Sequence, residues 1–227
     1  MTPPLMRVAT GPFYALSVAA GCVDAISFVG FGQVFTANMT GNMVLLGIAV
    51  VSHFAILPIA IGWLFPLVAI VAFILGALGP LPLFPQGLHG RRAGAVVLVE
   101  GVLLAIAAVV FALSPHAPWV LPVCIALMSF AMGAQSMVAS KAALPGISTT
   151  YVTGTLITAL TRGLAQNAPE SYRLDAMRNM WVIVAYIGGA ALGAFLFLYL
   201  RHNVLILVAI GLIATAVWFD RKAFKEV

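Results

Sequence analysis

Runs of apolar residues dominate the chain, and only short polar gaps separate them. A bilayer-spanning helix needs about 20 mostly apolar residues, and six segments come close to that length. These segments are Phe13–Val29, Ile59–Leu78, Ala93–Leu113, Trp119–Ala139, Trp181–Leu200 and Val204–Phe219. The pattern predicts an all-α, polytopic membrane helix bundle with six full spans.

Two further apolar segments are too short to cross a bilayer. Met43–Val51 and Val152–Leu160 contain nine residues each, and polar residues precede both. We interpret them as half-helices that enter the membrane and return to the same side, within re-entrant segments 30–52 and 146–164. The hydrophilic stretch Arg162–Asn179 is expected to be a cytoplasmic loop with an amphipathic turn.

Composition supports this class and excludes others. Apolar residues make up 63% of the chain and charged residues 7%, whereas about 25% of an ordinary soluble domain is charged. The mean hydropathy is +1.13. These values exclude a soluble globular protein, a disordered chain and a nucleic-acid-binding domain, so the expected surroundings are the lipid bilayer and nucleic acid is not an expected partner.

The basic residues test the two topologies, because lysine and arginine concentrate in cytoplasmic loops. If all eight segments crossed the bilayer from a cytoplasmic N-terminus, seven of the 11 basic residues would be cytoplasmic and four would not. If the two short segments return, every basic residue except Arg201 is cytoplasmic. The second topology is therefore preferred, with both termini on the cytoplasmic side.

The two short segments also resemble each other. Thr36–Asn42 aligns with Thr149–Thr155 at an offset of 113 residues, which superposes two Thr-Gly dipeptides. Gly21 and Gly133 lie 20 and 21 residues before the motif glycines. The equal placement in each half predicts an internal duplication.

Three full crossings separate the two motifs, so the duplicated halves would face opposite ways across the bilayer. The expected halves are residues 1–115, with spans 1–3, and residues 116–227, with spans 4–6. An inverted 3+3 repeat of this kind is common among secondary transporters, whose binding sites lie near the midplane at interrupted helices.

Several of these stretches resemble the YoaK family, whose members are small bacterial membrane proteins with a domain of unknown function. The matching residues are Gly21–Phe28, Phe35–Asn42, Glu100, Gly133–Gln135 and Thr149–Thr155. Ser136 departs from the pattern, since we expect the family to carry asparagine after the glutamine. The resemblance implies a multi-pass protein of the bacterial cytoplasmic membrane, and it implies no particular substrate or activity.

Two acidic residues fall within predicted spans. Asp24 lies late in the first span, and Glu100 lies about a third of the way into the third. A charge at mid-bilayer costs at least about 2.5–3.5 kcal/mol, so such an acid is usually paired, protonated or facing a wet cavity. Either acid could couple protons or sodium ions to a conformational change, and either could instead lock helices together through hydrogen bonds.

The starts of the two half-helices are the candidate binding site. Unpaired N–H groups and a partial positive charge at a helix start favour anions and polar solutes. The candidate substrate-binding residues are Asn38, Thr40, Gly41, Asn42, Tyr151, Thr153, Gly154, Thr155 and Gln135. Helix capping by Thr and Asn and close packing at glycine would also account for these residue types.

These features favour a secondary transporter or permease for a small polar or anionic solute, coupled to protons or sodium through Asp24, alone or together with Glu100. A channel-like pore and a non-transporting accessory or scaffold protein are the alternatives. An enzyme is not expected, because the chain contains no nucleophile, metal-ligand or phosphate-loop motif; no metal or cofactor is expected either. The small-residue run Gly188–Ala194 suits close packing within the chain or between subunits of a homo-oligomer.

Overall fold

Helices account for the regular structure of the chain. The computed structural model describes residues 10–54, 62–85, 90–142, 149–150, 152–165 and 169–222. Within these residues there are α-helices and short 3₁₀ turns, and no strand, which confirms the all-α class. The α-helices of the described part are α1 (Gly11–Gly30), α2 (Met39–Phe54), α3 (Leu64–Leu78), α4 (Gly90–Leu113), α5 (Val120–Lys141), α6 (Val152–Gly163), α7 (Glu170–Leu200) and α8 (Val204–Lys222).

Five stretches of the described chain are long and apolar enough to cross a membrane. They are Gly11–Gly30, Leu64–Leu83, Gly90–Leu113, Val120–Lys141 and Glu170–Phe219. The last stretch contains both α7 and α8, which a 3₁₀ turn at Arg201–Asn203 separates. Arg201 has a φ of 52°, so the backbone turns in a left-handed conformation where α7 ends. The chain is therefore a polytopic helical membrane protein.

The prediction of a loop at Arg162–Asn179 is wrong for the second half of that stretch, because α7 already begins at Glu170. Pro169 precedes the helix with a φ of −54°, and Glu170 places a negative charge in the first turn, where it complements the helix dipole. Asp175 pairs with Arg162 at 2.5 Å and with Arg178 at 3.5 Å. Polar residues thus extend α7 beyond its apolar part and fasten it to the end of α6.

The first short helix is also longer than its apolar pattern indicates. The helix α2 contains 16 residues, against nine in the predicted segment, because Met39–Asn42 before that segment and Ser52–Phe54 after it are also helical. The second, α6, begins at Val152 as predicted and ends at Gly163. The predicted start of the second full span, Ile59, lies outside the described residues, and α3 begins at Leu64.

Glycines allow α1 and α7 to pack backbone against backbone. A Cβ at Gly21 would fall on the Tyr186 carbonyl oxygen, and a Cβ at Gly189 would fall on the backbone of Val18. Near the ends of the same helices, a Cβ at Gly30 would meet the Phe197 ring. Val18 faces Gly189, Cys22 faces Gly193 and Gly30 faces Phe197, so positions advance together along α1 and α7 and the two helices run parallel.

The pair α3 and α5 repeats this arrangement. A Cβ at Gly133 would fall on the Phe73 carbonyl oxygen, and a Cβ at Gly76 would fall on the backbone of Phe130. Each of these four residues lies 112 or 113 positions from its counterpart in the α1–α7 contact. Small residues at equivalent positions thus hold two helix pairs together in the same way.

The end of α1 lies beside the start of α3. A Cβ at Gly32 would lie 2.5 Å from the Phe65 ring, and Phe31 packs on Phe111 near the end of α4 with ring centroids 4.9 Å apart. The chain therefore leaves α1 and enters α3 at the same end of the bundle, with α2 between them in sequence.

We expect Gly189→Ala to destabilise the protein by about 1–3 kcal/mol, the usual cost of overpacking a tight contact. Gly188→Ala is the matched control, because a Cβ at Gly188 has nothing within 4 Å. Thermal unfolding of the purified variants in detergent measures both effects. Equal unfolding temperatures for the two variants would contradict the proposed backbone contact between α1 and α7.

Candidate functional site

The segment between α1 and α2 turns back into the bundle. Gly32 and Gln33 both have positive φ values, 91° and 59°, and glycine adopts this conformation without steric cost. The backbone N–H groups of Thr36 and Ala37 then donate to Asp24 Oδ1, both at 2.7 Å. Because Asp24 lies six residues before the end of α1, these bonds bring the chain back by roughly 9 Å along the helix.

Asp24 is the anchor of this returning segment. Its Oδ1 also accepts the Thr36 hydroxyl at 3.3 Å, and its Oδ2 accepts the Tyr186 hydroxyl at 2.5 Å. The side chain is only 2% exposed. Four donors from the described residues suit an ionised carboxylate, which only accepts hydrogen bonds, so Asp24 ties α1, the segment before α2 and α7 together.

Two asparagines fix the start of α2. Asn42 Oδ1 accepts the Phe35 N–H at 2.9 Å and its Nδ2 donates to the Phe35 carbonyl. Asn38 Oδ1 accepts the Gly41 N–H at 3.3 Å, the usual bond of a helix N-cap. Both contacts preserve the turn from the extended segment into the helix.

The segment before α6 is held by a smaller contact. Ser136 on α5 lies 2.6 Å from Thr150, hydroxyl to hydroxyl, and also donates to the Met132 carbonyl at 2.9 Å. Thr149 is buried, and its hydroxyl has no hydrogen-bond partner among the described residues. The segment before α6 is thus attached to α5 at a position equivalent to the one where the segment before α2 is attached to α1. The groups that attach it are neutral.

A cavity of about 410 Å³ lies where the starts of α2 and α6 approach each other. We call it the central cavity. It is lined by the starts of both short helices, by the residues that lead into them, and by one aromatic side chain each from α3 and α7. The lining residues are Ala37, Asn38, Met39, Thr40, Gly41, Val44, Phe73, Thr150, Val152, Thr153 and Tyr186. These lining residues include no charged side chain.

The central cavity contains part of the set predicted from the sequence. Asn38, Thr40, Gly41 and Thr153 line it, whereas Tyr151 lies outside the described residues. The remaining members are not among its lining residues: Asn42, Gly154, Thr155 and Gln135.

Gln135 does not line the central cavity but forms a hydrogen bond between two long helices. It is fully buried on α5, and its Nε2 donates to the Leu16 carbonyl of α1 at 3.1 Å. The Oε1 atom of the same side chain has no partner among the described residues. Gln135 therefore connects two long helices beside the site.

Tyr186 and Phe73 are site residues that the sequence pattern did not indicate. Both lie within long apolar stretches, where an aromatic residue is usually a packing or lipid-facing residue. Their positions are equivalent in the packing of the helices, because the Tyr186 carbonyl lies against Gly21 and the Phe73 carbonyl lies against Gly133 in the same way. The hydroxyl of Tyr186 is the polar atom that distinguishes the pair.

Glu100 is separated from this network. It lies near the midpoint of α4, is fully buried, and neither carboxyl oxygen has a hydrogen-bond partner in the described part of the chain. The two acids predicted within the spans thus have opposite surroundings.

This fold and its central cavity define the class of the molecule, a polytopic α-helical membrane protein with two short helices that start inside the bundle. Comparison with known proteins then gives the family. A family model described as "Protein of unknown function (DUF1275)" matches residues 13–218. The chain belongs to this family, which includes the YoaK proteins.

One relative shows how far the similarity extends. The UPF0700 transmembrane protein YoaK of Bacillus subtilis (strain 168) is 32% identical over 184 residues, which is 79% of this chain and 80% of the relative. The expected resemblance to the YoaK family is confirmed. No solved structure matches the chain.

We expect Asp24→Ala to destabilise the protein by at least about 2 kcal/mol, because it leaves the buried N–H groups of Thr36 and Ala37 without an acceptor at about 1–3 kcal/mol each. Tyr186→Phe removes one of the four donors and should cost less. Ser136→Ala, which removes only a hydroxyl contact, should cost about 0.5–1.5 kcal/mol. Thermal unfolding in detergent ranks the variants, and an Asp24→Ala effect no larger than that of Ser136→Ala would contradict the anchoring role.

Proposed function

We propose that the protein is a secondary transporter or permease for a small polar or anionic solute, which binds in the central cavity. One observation carries this proposal: the first turns of two short helices, from different halves of the chain, line the same cavity of about 410 Å³. Helix starts present unpaired N–H groups and partial positive charge. Two of them at one cavity resemble the interrupted-helix sites of carriers.

The topology proposed with this function has six spans and two re-entrant half-helices. For α2, support comes from the contact of Gly32 with Phe65, which brings the end of α1 and the start of α3 to the same end of the bundle. For α6, support comes from the ion pair of Arg162 with Asp175, which brings its last turn beside the start of α7. Both termini are then cytoplasmic, in a bacterial cell membrane.

An inverted repeat is part of the same proposal. The glycine contacts of the α1–α7 and α3–α5 pairs agree at offsets of 112 or 113 residues, which supports halves of residues 1–115 and 116–227. The halves would alternate in exposing the central cavity to the two sides of the membrane.

The two halves differ in charge at equivalent positions, and this difference suggests how a solute is oriented. Asp24 and Ser136 lie 112 residues apart and attach the segments before α2 and α6, respectively. A helix start carries about half a positive charge. The Asp24 carboxylate offsets it at α2, whereas Ser136 offsets nothing at α6, so an anionic group should bind toward Thr150 and Thr153.

Two alternatives make different predictions. A channel-like pore could use the same pair of half-helices, but it would show no acceleration of labelled-solute uptake by unlabelled solute on the far side. An accessory or scaffold protein would move no solute at all. We do not propose an enzyme, because the lining residues offer no activated nucleophile or general base in the described chain.

Flux through purified protein in liposomes tests the proposal. The probes are labelled acetate, lactate, nitrate and phosphate as anions, and glycerol and alanine as solutes without net charge. We expect saturable uptake of at least one probe, with acceleration by the same unlabelled solute inside. Absence of flux for all probes would overturn the transporter proposal, and flux without this acceleration would favour the pore.

The charge asymmetry gives a selective prediction. Ser136→Asp should reduce uptake of a transported anion at least tenfold, because it places a negative charge beside the α6 start, whereas Ser136→Ala should retain most of the uptake. Ser140→Asp is the matched control, since Ser140 is exposed one turn further along α5 and bonds within its own helix. Equal losses for the two aspartate variants in the liposome assay would contradict the orientation of the solute.

A further inference from the structure

Glu100 is a buried carboxyl group that the proposed solute site does not use. It lies on α4 between Val97 and Leu104, one turn away on either side, and all three residues are fully buried. Neither Oε1 nor Oε2 has a partner among the described residues. A buried polar side chain usually has at least one hydrogen bond, so this group is an exception in a closely packed bundle.

The helices around Glu100 supply no compensating charge. On α8, the stretch Val204–Phe219 that packs against α4 contains no titratable side chain. A Cβ at Gly101, the next residue, would already lie 3.0 Å from the Ala209 carbonyl oxygen of α8. The two helices are therefore too close for a large water-filled space at this side of the carboxyl group.

The register of α5 places other unpaired polar groups near the same level. Cys124 donates to the Ala107 carbonyl of α4 at 3.4 Å, and α4 and α5 are consecutive antiparallel helices. Glu100 lies seven residues before Ala107 on α4, and Ala131 lies seven residues after Cys124 on α5. Because the helices are antiparallel, Glu100 and Ala131 are at the same level of the bundle. Ser129 and Gln135 lie within about one turn of that position, and each has a buried oxygen without a partner in the described chain.

The titratable groups on the packed faces are few. Of the residues from Val120 to Ser140 on α5, only Cys124 is titratable, and it bonds to Ala107. The charged residues of α4 other than Glu100 are Arg91 and Arg92, more than two turns below it. Asp24 has its own four donors. Nothing in the described surroundings therefore stabilises a negative charge on Glu100, and burial disfavours that charge.

We propose that Glu100 is a proton-binding site, occupied by a proton in this conformation, and that it is the group that couples proton movement to transport. Water that reaches the carboxyl group from one side of the membrane delivers the proton, and water that reaches it from the other side removes it. Asp24, by contrast, is an anchoring residue. The coupling rests on the proposed transport function, whereas the proton occupancy of Glu100 does not.

Labelling with dicyclohexylcarbodiimide tests the occupancy directly, because this apolar reagent enters lipid and reacts with protonated carboxyl groups. We expect one adduct in the purified protein, located by mass spectrometry on the peptide that contains Glu100. The adduct should be absent from Glu100→Gln and retained in Asp24→Asn. No adduct on Glu100, or an adduct on Asp24 instead, would overturn the proposal.

Liposome transport then tests the coupling without depending on the labelling. Glu100→Gln mimics the protonated side chain, so it should fold with an unchanged unfolding temperature and retain exchange of labelled for unlabelled anion. It should lose accumulation driven by a pH gradient, so that the concentrations inside and outside become equal. Glu170→Gln, the same substitution at the exposed first residue of α7, should accumulate like the parent protein.

The outcomes separate the two proposals. Accumulation by Glu100→Gln equal to that of the parent protein would overturn the coupling role of Glu100. Failure of the parent protein to transport any probe would overturn the proposed function, while the adduct on Glu100 would still decide whether the proton site exists.

Discussion

The bonds between Asp24 and the segment before α2 are the interaction on which the rest of the site depends. An extended segment carries unpaired N–H and C=O groups, and burying them inside a membrane protein is costly unless partners exist. Asp24 accepts two of these N–H groups at 2.7 Å, and Asn42 satisfies both backbone groups of Phe35. These contacts hold the start of α2 inside the bundle, and the central cavity exists because α2 and α6 both start there.

The equivalent contact in the other half is weaker and uncharged. Ser136 and Thr150 form one hydroxyl pair, and Phe73 occupies the position that corresponds to Tyr186. If the halves arose by duplication, one half has kept the anchoring acid with its tyrosine donor and the other has neutral residues. With a charged side chain beside only one of the two helix starts, the electrostatic potential should differ between the α2 side and the α6 side of the cavity. A symmetric pair of helix starts would lack this difference.

Sequence patterns predicted the elements that lipid constrains most strongly. Long apolar runs identified the helices that cross the described bundle, and the two Thr-Gly motifs located the starts of α2 and α6. The patterns failed where polar residues are helical. Residues Glu170–Asn179 belong to α7, and the ion pairs of Asp175 with Arg162 and Arg178 support this polar part of the helix. Tyr186 and Phe73 could not be predicted as site residues, since their positions depend on how Gly21 and Gly133 let neighbouring helices approach. Asn42 and Gln135 were predicted to bind solute because of their amide groups, and in the structure these amides bond to backbone groups of Phe35 and Leu16.

In the proposed topology, α2 and α6 start within the membrane and end on opposite sides of it. Ser52, near the end of α2, and Leu164, just after α6, provide the most direct measurement. Each is replaced by cysteine in a chain whose Cys22 and Cys124 are alanine, and a membrane-impermeant maleimide is applied to intact and then to lysed cells. We expect Ser52→Cys to be labelled from outside and Leu164→Cys only after lysis. Labelling of both from the same side would contradict this topology.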